Sequence, residues 1–132
     1  MSSASRELGE SCKVLLVEDD GDTREQLTDI LRLWGYVVET ATDGEEALER
    51  VRQHPLPHVL LVDLLMPRMS GWELIAEINK SERLSSIPLV VLSGCVEETS
   101  FLPPADAHLP KPLDLARLHQ LLDQLALLRR AR

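Results

Sequence analysis

Short apolar runs alternate along the chain with longer segments in which apolar positions recur every three or four residues. The short runs are rich in Val and Leu, which predicts buried strands at 14–17, 36–40, 58–62, 88–92 and 107–109. The longer segments predict helices from Thr23 to about Trp34, from Thr42 to just before Pro55, after Ser70, and from Leu113 to about Arg129. This alternation is typical of an α/β fold. It predicts a doubly wound, five-stranded parallel sheet in the order 2-1-3-4-5, with helices on both faces.

Local signals mark where some of these helices begin and end. Asp22 and Glu25 have the spacing of a capping box, and Ser70 and Glu73 have the same spacing. Gly35 follows the first helix and is predicted to end it, because glycine readily adopts the left-handed conformation of a helix C-terminus.

The segment between the fourth and fifth strands is short and contains two adjacent prolines. Ser93 and Lys111 are 18 positions apart, and only a weak helical pattern lies between them. Because proline interrupts helices and short helices are marginal, we expect the fourth helix to be shortened.

Length, charge and cysteine usage exclude several classes of protein. The chain has 132 residues, enough for one domain, and a net charge of -8, which argues against direct nucleic-acid binding. No apolar run approaches the roughly 18 residues of a membrane span, and two cysteines suit the reducing cytoplasm. We expect a disordered leader at 1–12, a folded domain at 13–129 and a basic tail at 130–132.

Polar residues follow four of the five predicted strands at their carboxyl ends. In chain order they are Glu18 and Asp19, then Asp63, Ser93 and Lys111. Because parallel strands end at the same edge of a sheet, we expect these side chains to lie together. Three crowded carboxylates repel one another unless a cation lies among them, and oxygen ligands suit Mg²⁺. A carboxylate at such a site can attack a phosphoryl donor, while a hydroxyl and an ammonium group stabilise the phosphoryl oxygens.

At these residues the chain resembles the receiver domains of bacterial two-component response regulators, which have a flavodoxin-like fold. The matching segments lie at 14–20, 62–71, 90–94 and 109–112. The resemblance implies that Asp63 is the phospho-acceptor, and that Ser93 and Lys111 hold the phosphoryl oxygens. It further implies a Mg²⁺ (or Mn²⁺) ion bound directly by Asp19, through water by Glu18, and by the backbone carbonyl of Leu65. The resemblance also implies that Asp20 is a neighbour of this site and not a ligand.

The same resemblance implies the partners and the mode of action. A sensor histidine kinase or phosphotransfer protein donates the phosphoryl group, and the modified domain changes its contacts with an unknown downstream protein. Direct binding to nucleic acid or membrane is not expected, and the chain is predicted to be a monomer or weak dimer. It is not predicted to be an enzyme. Leu65 and Cys95 occupy the positions that tune autodephosphorylation in receivers, and neither side chain would orient an attacking water well. Autodephosphorylation should therefore be slow.

One departure from the family pattern leaves an alternative open. Ser93 is predicted to act in the switch together with the residue three positions before Lys111, which is His108 where Tyr or Phe is typical. With the shortened fourth helix, this histidine favours a second hypothesis, a phosphorylation-independent interaction module with a receiver fold. The sequence also leaves open whether the chain acts alone or belongs to a longer regulator or hybrid kinase.

Overall fold

A computed structural model of the chain describes residues 12–53, 55–64, 69–94 and 105–131, with the side chains of 53 and 126–131 left out. The described strands are β1 (Lys13–Val17), β2 (Val37–Ala41), β3 (Val59–Asp63), β4 (Leu89–Ser93) and β5 (Ala107–Pro110). All four strand pairings are parallel, and the strand order is β2-β1-β3-β4-β5. The predicted five-stranded sheet and its order are therefore confirmed.

The described α-helices are α1 (Gly21–Leu33), α2 (Gly44–Gln53), α3 (Gly71–Asn79) and α4 (Leu115–Ala131), with a 3₁₀ turn at Leu84–Ser86. The segment in which we predicted a shortened fourth helix lies at 95–104, outside the described residues. Helix α4 is thus the predicted fifth helix. Within the described ranges, no helix is long and apolar enough to cross a membrane.

Alternate residues of the central strands are buried on opposite faces of the sheet. Val14 and Leu16 of β1 pack in one core cluster, which contains Leu31 of α1 and Leu118 of α4. Leu15 and Val17, which alternate with them along β1, pack in a second cluster, which contains apolar side chains of α2 and α3. Since successive side chains of a strand point to opposite faces, these two clusters confirm that helices cover both faces of the sheet.

The ends of the helices test the local signals in the sequence. Ser70 and Glu73 form the predicted capping box, and Gly35 has a φ of 99°, as predicted for a residue that ends a helix. The capping box predicted at Asp22 and Glu25 is wrong. Helix α1 begins earlier, at Gly21, and its N-cap is Asp20, which accepts hydrogen bonds from the backbone N–H of Thr23 at 2.9 Å and from its hydroxyl at 2.7 Å.

The start of the last helix was also predicted too early. Helix α4 begins at Leu115 and not at Leu113, so Asp114 precedes the helix and does not lie in its first turn. The Asp114 carboxylate accepts a hydrogen bond from the backbone N–H of Arg117 at 3.2 Å, which satisfies one of the amide groups left unpaired at a helix start.

Candidate functional site

The register of the sheet brings the polar ends of four strands to one edge. Asp63 at the end of β3 is opposite Leu92, and Ser93 at the end of β4 is opposite Pro110 of β5. The backbone N–H of Lys111 donates to the carbonyl of Ser93 at 2.8 Å, so β4 and β5 end side by side. This edge is the carboxyl end of the parallel sheet, where α/β proteins of this class bind their ligands.

Three carboxylates form a cluster at this edge. Oxygen atoms of Glu18, Asp19 and Asp63 all lie within 4.8 Å of one another. Glu18 and Asp63 are buried, with 1% and 5% of their surface exposed, whereas Asp19 is exposed. Carboxylates held this closely, with one side open to solvent, fit a hard cation such as Mg²⁺, which takes oxygen ligands and retains several waters.

The side chain of Lys111 reaches into the carboxylate cluster. Its Nζ atom lies 3.3 Å from Oε1 of Glu18 and 3.4 Å from Oδ1 of Asp63. Burial and the neighbouring charge of Asp63 raise the pKa of Glu18 above its ordinary value, although the amide of Asp20 and the ammonium of Lys111 oppose this shift. Burial would lower the pKa of Lys111, but Asp63 and Glu18 together raise it above its usual value. One ammonium group therefore faces two buried carboxylates and neutralises only part of their charge.

The loop between β1 and α1 holds the first two carboxylates. The backbone N–H of Asp20 donates to Oε2 of Glu18 at 3.2 Å. Nη1 of Arg24 lies 3.0 Å from the carbonyl oxygen of Glu18 and 3.3 Å from that of Asp19, and donates to both. Arg24 was missed by the sequence analysis. The available signal was its position one turn after the Asp20 cap, since helical side chains point back toward the N-terminus.

Two glycines, also missed, allow close contacts around the loop that follows β3. The N–H of Gly71 donates to the carbonyl of Leu64 at 3.0 Å, and a Cβ at Gly71 would lie 2.7 Å from the carbonyl oxygen of Asp63. Gly44 donates to the carbonyl of Met69 at 2.9 Å, and a Cβ there would lie 2.6 Å from the same oxygen. Asp63, Leu64 and Met69 therefore pack against the first residues of α3 and α2 at positions where a side chain does not fit.

The remaining predicted site residues are placed as follows. Ser93 is 6% exposed at the end of β4. His108 is partly buried in β5, opposite Val91. Leu65, predicted to supply a carbonyl to the metal, and Cys95, predicted to influence phosphoryl lifetime, lie outside the described residues.

A largely apolar groove lies beside Lys111, between α1 and the start of α4. Its lining residues are Thr23, Gln26, Leu27, Ile30, Lys111, Pro112, Leu113 and Leu115. Leu115 is 40% exposed, which is unusual among the large apolar side chains of the described residues. The groove places an accessible apolar surface next to the charged site.

Comparison with known proteins identifies the family. The sequence model of one protein family, the response regulator receiver domain, matches residues 14–123. The chain belongs to this family. It is 38% identical over 109 residues to the response regulator RR06 of Streptococcus pneumoniae, covering 80% of this chain and 48% of that protein. It is 37% identical over 126 residues to the response regulator MprA of Mycobacterium ulcerans, covering 92% of this receiver chain and 52% of MprA.

Solved structures agree with this assignment. A putative response regulator from Chloroflexus aurantiacus superposes with a TM-score of 0.80 at 28% identity, covering 87% of this receiver and 97% of that chain. The response regulator TrrA of Thermotoga maritima, solved in complex with Mg²⁺-BeF, gives a TM-score of 0.78 at 28% identity, covering 86% and 98%. The family is one of signalling domains, and this receiver spans about half the length of the curated relatives it matches.

Proposed function

We propose that Asp63 accepts a phosphoryl group in a Mg²⁺-dependent reaction and that the modified receiver changes its protein contacts. The observation that carries this proposal is the cluster of Glu18, Asp19 and Asp63 within 4.8 Å, with Lys111 at 3.4 Å from Asp63. Glu18 and Asp19 would hold the metal together with Asp63 and the backbone carbonyl of Leu65. The donor set supports Mg²⁺, and it does not distinguish Mg²⁺ from Mn²⁺.

In this mechanism an oxygen of the Asp63 carboxylate attacks the phosphorus of a phosphohistidine. The new O–P bond forms as the N–P bond breaks, and the leaving imidazole keeps the electron pair and takes up a proton. Bound Mg²⁺ supplies positive charge to the phosphoryl oxygens. Lys111 transfers its ion pair from Asp63 to the phosphoryl group, and the hydroxyl of Ser93 donates a hydrogen bond to it.

The consequence of phosphorylation is electrostatic. The phosphoryl group adds nearly two negative charges and three acceptor oxygens where Ser93 and Lys111 can move toward it. We propose that this movement is passed to His108 in β5, two strands away from Asp63, and then to the surface that contacts the downstream protein. The groove between α1 and α4 supports partner contacts on these two helices, because it combines apolar surface with a position next to Lys111.

Several sequence predictions belong to the same proposal. The phosphoryl donor is a sensor histidine kinase or phosphotransfer protein, and the receiver acts as a switch without turning over a substrate of its own. Slow autodephosphorylation, the cytoplasmic location, the monomeric or weakly dimeric state and the domain limits at 13–129 all stay predictions.

The test uses acetyl phosphate as a phosphoryl donor, with intact-mass spectrometry and peptide mapping. We expect the wild-type chain to gain the mass of one phosphoryl group in Mg²⁺ but not in EDTA, and the label to map to Asp63. Asp63→Asn should abolish the gain. Asp29→Asn, which changes an exposed carboxylate on α1, should leave it unchanged.

An unchanged mass in saturating Mg²⁺ and acetyl phosphate would favour the alternative, a phosphorylation-independent interaction module. The same experiment with a phosphorylated phosphotransfer protein then distinguishes a missing acceptor from a donor that this receiver does not use. A label that persists in Asp63→Asn would contradict the acceptor assignment.

A further inference from the structure

The three carboxylates of the proposed metal site are held in different ways. Glu18 and Asp63 are buried, and each lies within 3.4 Å of Nζ of Lys111. Asp19 is exposed, so burial does not fix its side chain. The direction of the Asp19 carboxylate therefore depends on the backbone that carries it, in the loop between β1 and α1.

Arg24 is a side chain of helix α1 that donates hydrogen bonds to this backbone. Strand β1 ends at Val17. The next N–H, that of Glu18, still donates a hydrogen bond to the carbonyl of Ala41 in β2, at 3.0 Å. The next two carbonyls, of Glu18 and Asp19, both accept from Nη1 of Arg24. The side chains of Glu18 and Asp19 branch from this backbone. The orientation of these two peptide units therefore influences the direction of both carboxylates.

The position of Arg24 has two electrostatic costs. A cation in the first turns of a helix is unfavourable, because the N-terminal end of the helix carries partial positive charge. A cation beside the carboxylate cluster also opposes the binding of a second cation there. An arginine that only neutralised charge would weaken metal binding, so a benefit to the site must come from its hydrogen-bond geometry.

We propose that Arg24 is a positioning residue for the metal site. It holds the Glu18 and Asp19 carbonyls so that the Asp19 carboxylate stays within the cluster, and it raises Mg²⁺ affinity despite its own charge. This inference rests on the proposed function, since it assigns Arg24 a role in binding the same Mg²⁺ ion.

The experiment measures Mg²⁺ affinity by isothermal titration calorimetry for wild type, Arg24→Gln, Arg24→Lys and Arg32→Gln. A positioning role and a purely electrostatic role predict opposite changes in Mg²⁺ affinity for Arg24→Gln. Loss of positioning should weaken binding about tenfold, as is typical when a residue that orients a metal ligand is removed, whereas loss of charge alone should tighten it. Arg24→Lys keeps the opposing charge but loses the guanidinium geometry, so it should bind Mg²⁺ no more tightly than Arg24→Gln. Arg32→Gln, which removes an exposed cation from the last turn of the same helix, should bind like wild type.

A second measurement needs no metal. Hydrogen–deuterium exchange in EDTA should be faster at the amides of Asp19 and Asp20 in Arg24→Gln than in wild type, with unchanged exchange in β3 and β4. Circular dichroism checks that each variant is folded.

The outcomes separate the two proposals. If wild type binds no Mg²⁺, the metal-dependent function and the role of Arg24 both fail. If wild type binds Mg²⁺ and Arg24→Gln binds equally well or more tightly, the function stands and only the positioning role is overturned. Equal exchange in the two proteins would also count against positioning.

Discussion

At the carboxyl end of the sheet, Glu18 and Asp63 are buried together beside the ammonium group of Lys111. Near the amino end, the carboxylate of Asp123 has two neighbours, the hydroxyl of Tyr36 and the ring of His119. Oδ1 of Asp123 accepts from the hydroxyl of Tyr36, and Oδ2 lies 3.6 Å from Nε2 of His119.

The amino end is further ordered by ring stacking. The ring of His119 lies parallel to that of Trp34, with their centroids 4.1 Å apart. Burial and the hydrogen bond to Asp123 raise the pKa of Tyr36, so its hydroxyl remains a donor. These contacts join the end of α1 to α4.

This receiver concentrates its unfavourable electrostatics at the carboxyl end of the sheet. Contacts at the amino end are complementary and stabilise the fold without any ligand. Contacts at the carboxyl end leave negative charge in excess, and burial together with the charge of Asp63 raises the pKa of Glu18. Charge of this kind destabilises the ligand-free fold and is relieved when a cation binds, so local conflict of this kind is expected at a functional site.

The largest expected effect comes from Gly71→Ala at the carboxyl end. The new Cβ would lie 2.7 Å from the Asp63 carbonyl oxygen and from Cα of Leu64, and both are backbone atoms that move only with β3. We expect the free energy of unfolding to fall by about 1–3 kcal/mol, the usual cost of overpacking, as measured by urea denaturation. Phosphorylation of Asp63 should slow as well.

Gly21→Ala is the matched control for this substitution. Its Cβ would meet only Nη2 of Arg24, at an ordinary 3.7 Å, so stability should be unchanged or slightly higher. Equal losses of stability in Gly71→Ala and Gly21→Ala would show that the close contact at Gly71 is not what makes its substitution destabilising.

Glu18→Gln tests the charge conflict directly. The pKa of Glu18 is raised in the folded chain, so the native state binds this proton more tightly than the unfolded state, and stability decreases as the pH rises through the folded pKa. We expect Glu18→Gln to raise Tm in EDTA by about 3 °C, the scale of a 1 kcal/mol change in a domain of this size, and to reduce the stabilisation that Mg²⁺ gives wild type.

Differential scanning fluorimetry, with and without Mg²⁺, measures both effects. The Tm difference between wild type and Glu18→Gln should shrink as the pH falls, because wild-type Glu18 becomes protonated. Glu49→Gln, at an exposed position on α2, serves as the control and should shift neither value. A lower Tm for Glu18→Gln in EDTA would mean that its contact with Lys111 outweighs the charge conflict.

The smallest expected effect is that of Tyr36→Phe at the amino end. It removes one hydrogen bond to Asp123, which has access to water, so the expected loss is about 0.5–1 kcal/mol in urea denaturation. Mg²⁺ affinity by calorimetry should be unchanged. A change in that affinity would show that the two ends of the sheet are coupled in the ligand-free protein.

The parallel sheet and the strand-end residues could be predicted because they follow from local patterns. Alternating strands and helices imply a parallel sheet, and a parallel sheet brings Glu18, Asp63, Ser93 and Lys111 to one edge whatever the loops do. The capping box at Ser70 and the helix end at Gly35 were predicted for the same reason, since their signals lie within a few residues.

Other features depend on distant contacts, which a single sequence does not reveal. Asp20 and Asp22 are both good N-caps, and the short path from the end of β1 into α1 decides between them. The roles of Gly71 and Arg24 follow from contacts with the backbone of Asp63 and Asp19, which sequence spacing alone does not specify. Tyr36 was predicted to begin β2, but its hydroxyl bonds to Asp123 and the strand begins at Val37.

The separation of the two ends also gives the receiver two optical probes. Trp72 lies in the first turn of α3, next to the close contact between Gly71 and Asp63, and packs against the apolar core on that face. Trp34 is stacked on His119 near the other end of the sheet. In a Trp34→Phe variant, emission from Trp72 should follow events at Asp63, and a Trp72→Phe variant, which keeps Trp34, serves as the reference. The pair would allow phosphorylation to be followed in real time without an added dye.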